Sequence, residues 1–126
     1  MKVCVVGSRS LTSADKVLPI IDKFVTELPS SNVTFLIGSA KGVDPLSKHY
    51  AHSHGHDVVE FLPYHLLDSS VEFNSKYFFI RTKQMLDNAD AVLAIWDTKS
   101  KGTHYAIKYT QKLEKPIMII KVPSGS

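Results

Sequence analysis

The stretch VTFLIGSAKGVDPLSKHYAHSHG, residues 33–55, decides the fold. An apolar run, Val33–Ile37, breaks at Gly38 into the polar loop GSAKGVD, and Pro45–His54 then runs as a helix that Gly55 can end. Strand, glycine-bearing loop and helix form half of a βαβ unit, and the same order recurs on both sides. Upstream, Lys2–Val6 is a short β-rich run that stops at Gly7. Ser13–Leu28 then carries Val17, Ile20, Ile21, Phe24, Val25 and Leu28 at helical spacing. Thr12 or Ser13 can cap that helix, while Pro19, which removes a backbone donor, predicts a kink or a start nearer Lys16. Downstream, Asp57–Phe61 predicts a third strand, Leu62–Asn74 a long polar connection and Ser75–Asn88 a helix. Ala89–Trp96 predicts a fourth strand, Asp97–Gly102 a loop, Thr103–Leu113 a helix and Pro116–Val122 a last strand. Its continuous run IMII is what a strand covered on both faces requires.

Short apolar strands alternating with helices imply an α/β architecture, a Rossmann-like three-layer sandwich on a mostly parallel five-stranded sheet. The chain has 126 residues, 44% of them apolar, which suits one domain over residues 1–122 followed by a flexible tail at 123–126. Fifteen Lys and Arg against twelve Asp and Glu leave a charge of +3, a mild excess that permits an anionic partner without clustering on one helix. Cys4, the only cysteine, lies in an apolar strand and reads as a buried, inert thiol, so a cytoplasmic location is the expectation. No run approaches the ~20 apolar residues of a membrane span, and MKVCVV is too short for a signal-peptide core.

In a parallel sheet the loops after strands one, two and four share one edge, and they read GSRS, GSAKGVD and WDTKSKGT. Glycine at a strand end lets backbone approach a ligand, and the helix that follows presents free amides and a positive dipole end. Ser8, Ser39, Ser100 and Thr103 can add hydroxyl donors, and Arg9, Lys41, Lys99 and Lys101 can add charge. Any one such loop is more often a plain turn, but three converging favour an anion site. Neither G-x-G-x-x-G after the first strand nor a P-loop is present. Asp44, just before Pro45, is either an N-terminal cap or a carboxylate accepting from a ribose or base. By position alone Arg81 belongs to a solvated helix face.

VVGSRS at 5–10, LIGSAKGVDPLSKHYAHSHG at 36–55, IRTKQMLDNADAVLAIWD at 80–97, SKGTHYAI at 100–107 and KPIMII at 115–120 together resemble the SLOG superfamily. The likeness is to its small YspA- and YpsA-related branch and covers nearly the whole chain. It implies a Rossmann-like domain that binds a nucleotide or nucleotide-derived small molecule as a sensor, sequestering or ligand-handling module. Carried over by motif, it places Gly7, Ser8 and Arg9 in the first phosphate-facing loop, Gly38, Ser39, Gly42 and Asp44 in the second, and Gly102 and Thr103 in the last. Arg81 becomes a candidate ligand contact and Asp90 marks a strand start. This chain departs from the family pattern at Ser39, where glycine is often found, at Thr82, where asparagine often follows the arginine, and at His104 after the G-T.

Two other readings stand beside it. The related cytokinin-activating phosphoribohydrolases hydrolyse an N-glycosidic bond with a P-G-G-x-G-T-x-x-E loop, but here Ile107 occupies the glutamate's place, which speaks against that chemistry unless Asp44, Asp97 or His104 substitutes. The GSR and GSAKGVD loops also resemble the Rossmann core of the DNA-processing protein DprA, which implies single-stranded nucleic acid along Arg9, Lys41, Lys48, Lys99 and Lys101 with Tyr50, Tyr64 or Trp96 as stacking platforms. His49, His52, His54 and His56 straddle a helix end without the spacing of a zinc site, so neither a metal nor a cofactor is expected. Trp96 either covers the sheet edge or stacks a base, and Tyr77, Phe78 and Phe79 belong to the core or to a subunit contact of a homodimer or higher homo-oligomer.

Overall fold

The structure, a computed structural model, describes residues 1–123. The tail expected at 123–126 lies outside them apart from Pro123. Five strands form one sheet: β1 (Lys2–Gly7), β2 (Thr34–Ile37), β3 (Asp57–Glu60), β4 (Ala91–Trp96) and β5 (Ile117–Lys121), in the order β3-β2-β1-β4-β5. Every pairing is parallel. The helices are α1 (Ala14–Thr26), α2 (Val43–Ser53), α3 (Tyr64–Leu67), α4 (Lys76–Asn88) and α5 (Lys101–Lys112).

The two-residue period of the strands sorts the core into two layers. Val3 and Val5 of β1, Phe35 and Ile37 of β2, and Leu93 and Ile95 of β4 face α1 and α2, meeting Val17, Ile21, Phe24 and Tyr50. The alternate residues Cys4, Val6, Leu36, Val92 and Ala94 face α4 and α5, meeting Met85, Leu86, Ala106 and Ile107. Both faces of β1, β2 and β4 are therefore dry, which is why those strands are apolar throughout. Cys4 is fully buried, and that burial, with the Asp44 carboxylate adding to it, pushes its thiol well above the usual range. At the opposite end of the sheet from the loops, Asp90 accepts the Lys2 amide at 2.8 Å and donates its own to Lys2, pinning β4 to β1.

Several expectations need correction. A fifth helix, α3, interrupts the polar stretch expected at 62–74. The first helix begins at Ala14 and carries Pro19 within it, where the missing donor costs a single backbone bond. The second begins at Val43, so Gly42 is its N-cap and Asp44 and Pro45 stand in its first turn. The last begins at Lys101, two residues before the expected Thr103, because Ser100 accepts the Thr103 amide. The IMII run is only half-buried, since β5 is an edge strand with one neighbour, β4. Among the described residues no helix is long and apolar enough to cross a membrane.

Candidate functional site

The chain runs outward from β1 to β2 and β3, then returns to place β4 on the other side of β1. The strand order reverses there, and in open parallel sheets that is where a crevice opens beyond the strand ends. A cleft of about 480 Å³ lies at this point, between the loops after β1 and β4 and the start of α4.

One wall is fastened by short hydrogen bonds. The amide of Ser8 donates to Ile95 at 3.1 Å, and its Oγ accepts the Asp97 amide at 3.0 Å. Asp97 in turn accepts the Lys99 and Ser100 amides on Oδ1, at 2.8 and 2.7 Å, and the Ser10 hydroxyl on Oδ2 at 2.8 Å. Burial works against ionisation of Asp97, but the hydrogen bonds outweigh it and hold its pKa at about 2. The carboxylate thus shapes the turn that leads into α5, whose N-terminal residues Gly102 and Thr103 line the cleft.

The opposite side is built around Gly38 and Gly42. Gly42 has φ +79°, and a Cβ there would fall 2.7 Å from the Ser8 carbonyl oxygen and 2.8 Å from that of Arg9, so the second loop crosses directly against the first. A Cβ on Gly38 would lie 2.8 Å from Arg81 Nη1 and 3.0 Å from Asp44 Oδ2, so the bare backbone is what admits both side chains. Arg81 comes from the middle of α4, is 6% exposed, and donates from Nη1 to Ser39 Oγ at 3.2 Å and to the Phe61 carbonyl at 3.5 Å. Its Nε is buried with no partner among the described residues. Burial lowers the Arg81 pKa from its ordinary value, with Asp44 acting in the opposite sense.

Asp44 accepts the Ala40 amide at 2.9 Å rather than capping its own helix. Burial raises its pKa to about 6 against the Ala40 hydrogen bond and the charges of Arg81 and Arg9. The guanidinium carbons of Arg9 and Arg81 lie 5.5 and 5.8 Å from the centroid of the Phe78 ring, which binds both cations to one aromatic. With Phe79, Met85 and Ala106 the α4 and α5 side of the cleft is apolar, while the strand-end side carries two cations and two carboxylates of very different acidity.

Of the residues singled out in the sequence, Gly7, Arg9, Asp44, Arg81, Ser100, Gly102 and Thr103 line this cleft. Gly38 and Ser39 stand directly behind Arg81. Ser8 and Gly42 are buried behind the wall, and Lys41 is exposed and does not line it. Trp96 is half-buried outside the lining; its Nε1 donates to the Ser100 carbonyl at 3.0 Å and its ring stacks on His104. Ile107 is buried in the α5 core. Sequence reasoning missed the lining by Ser10, Phe78, Phe79 and Met85, although Phe78 stands one helical turn before Arg81, a spacing that brings two side chains together. Among the described residues no three His, Cys, Asp or Glu side chains gather as a metal centre. His54 instead stacks on Tyr50, and His56 on Phe35.

Neither family models nor curated proteins give a match to the chain. Solved structures do. The X-ray structure of DNA processing protein A (DprA) from Streptococcus pneumoniae superposes with a TM-score of 0.76 at 18% identity, over 96% of this chain and 50% of that one. The X-ray structure of TM1055, a structural-genomics target, superposes with a TM-score of 0.61 at 26% identity, over 92% of this chain and 71% of that one. The shared fold is Rossmann-like. These likenesses support the resemblance to the SLOG superfamily and do not reach its YspA- and YpsA-related branch. The chain spans about half the length of the DprA chain it matches.

Proposed function

We propose that the cleft binds a nucleotide-derived small molecule, as a sensor, sequestering or ligand-handling domain of the YspA- and YpsA-related type. The observation that carries this reading is Arg81: a guanidinium held over Gly38 at the end of β2 and lining the cleft, 6% exposed, with no partner for its Nε among the described residues. A buried donor without a partner is costly, and an anion in the adjoining cleft would remove that cost. In this reading Arg81, Arg9 and the first amides of α5 take the phosphate, Asp44 takes a ribose hydroxyl, and the apolar side formed by Phe79, Met85 and Ala106 covers the base. Ile107, buried where the phosphoribohydrolases carry a glutamate, supports binding rather than hydrolysis.

The likeness to DprA, whose name speaks of DNA processing, favours single-stranded nucleic acid as a second reading. A thermal-shift panel of free nucleotides, ADP-ribose, cyclic ADP-ribose isomers, cyclic oligonucleotides and single-stranded oligonucleotides separates the two, with product analysis of every hit. A ligand at about 100 times its Kd stabilises the fold by about 2.7 kcal/mol, and Arg81→Met abolishes that gain. Steep salt dependence with oligonucleotides alone would favour the second reading. If no compound stabilises the protein, or Arg81→Met leaves the stabilisation intact, the binding reading fails.

A further inference from the structure

Among the described residues seven large apolar side chains stand exposed, and six of them fall within residues 64–80: Tyr64, Leu66, Leu67, Phe73, Phe79 and Ile80. They are not scattered. Tyr64 and Leu67 of α3 and Ile80 of α4 line one groove of about 200 Å³, and the Tyr64 ring lies 5.7 Å from that of Tyr77. His65 meets Phe73 and Phe78 edge-on at 5.0 and 5.3 Å, so Phe73 continues the same surface toward the cleft.

We propose that this α3–α4 face pairs with a second copy of the chain. The area is right for it. The four of these on the groove and its His65 extension, Tyr64, Leu67, Phe73 and Ile80, are 45–66% exposed and leave roughly 400 Å² of apolar surface per copy, within the range of the largest patch on a monomer. With its polar surround the face approaches the ~800 Å² that each partner contributes to a standard interface. The charges are self-complementary as well. Asp68 and Glu72 stand exposed on the stretch leading to α4, and Lys76 stands exposed on α4 itself, over the Tyr77 ring that lines the groove. In a two-fold contact the same patch meets itself reversed, so the acidic side of each copy meets the basic side of the other. Arg81 borders both the groove and the cleft, which puts the second copy one side chain from the ligand space.

Sedimentation velocity and light scattering from the low micromolar to the submillimolar range test this without any ligand. The mass should rise from 14.0 kDa toward twice that value, and Leu67→Glu and Ile80→Glu, neither of which lines the cleft, should each weaken association about tenfold or more. Unaltered thermal unfolding of both variants shows that the fold is intact. Hydrogen exchange of the unaltered protein at low and high concentration gives a readout without substitutions, with protection growing within residues 62–84. A monomer throughout, a dimer undiminished by folded variants, or protection that grows elsewhere overturns the proposal. A concentration-independent monomer leaves the face to a different partner.

Discussion

Replacing Gly42 by alanine should be among the most damaging single-methyl additions available to this chain. The residue sits at φ +79° and ψ −110°, outside the region that side-chain-bearing residues occupy, a conformational cost of about 1–3 kcal/mol. The added Cβ would also stand 2.7 and 2.8 Å from two backbone carbonyl oxygens, those of Ser8 and Arg9. Neither oxygen can swing aside as a side chain would, because the Ser8 amide and hydroxyl are tied to Ile95 and Asp97. Relief therefore requires the start of α2 or the first loop to shift, which adds about 1–3 kcal/mol of the kind seen on overpacking. The sum, about 2–6 kcal/mol, is a large share of the ~5–15 kcal/mol that holds an ordinary domain together. Urea unfolding followed by the fluorescence of Trp96, the only tryptophan, reads the loss directly. Gly102→Ala is the counterpart, since its Cβ meets nothing within 4 Å and its position is the second residue of α5. It should leave stability equal or raise it by up to about 1 kcal/mol through helix propensity. A Gly42→Ala loss under about 1 kcal/mol, or equal losses at the two glycines, would refute the crossing of loops described above.

Two further outcomes follow from the carboxylates. The Asp44 pKa is raised in the fold from 3.8 to about 6, so the folded protein holds its proton longer than the unfolded chain does, and stability should fall by up to about 3 kcal/mol as pH rises from ~4 through ~6. Asp44→Asn should flatten that part of the stability–pH curve, and an unchanged slope in urea titrations at those pH values would count against a buried, reluctant carboxylate. Ser8→Ala removes the acceptor of the Asp97 amide and should cost about 1–2 kcal/mol, with faster exchange of that amide as the local signature. Full protection of the Asp97 amide in the variant would show that the tie between the loops is made elsewhere.

The strands and their order of appearance were legible because β1, β2 and β4 are dry on both faces and therefore read as unbroken apolar runs. The strength of the IMII run, by contrast, misled about position. An edge strand with the same composition is only half-covered, and composition does not report a missing neighbour. The four-residue α3 was invisible because Tyr64–Leu67 is too short to show a helical period and follows Pro63. At the site, glycine-bearing loops announced themselves, but the roles of side chains depended on how the loops cross. Ser8 reads as an open donor in GSRS and is in fact enclosed between two strands. Arg81 reads as a surface residue by position, and only the approach of α4 to the bare backbone of Gly38 buries it.

The two sides of the cleft are held by different means. The strand-end wall, from Ser8 through Asp97 to Ser100, is closed by directional hydrogen bonds of 2.7–3.0 Å within the chain itself. The α4 and α5 side facing it is apolar, built of Phe79, Met85 and Ala106, whose non-directional contacts tolerate sliding. Under the proposed binding role, recognition should divide accordingly. The charged end of a guest encounters a mould already set, and little ordering entropy is lost there. Its other end meets a surface that can accommodate variation in shape, so a series of ligands differing only in the uncharged portion should bind with similar strength, while changes to the anion should be punished steeply.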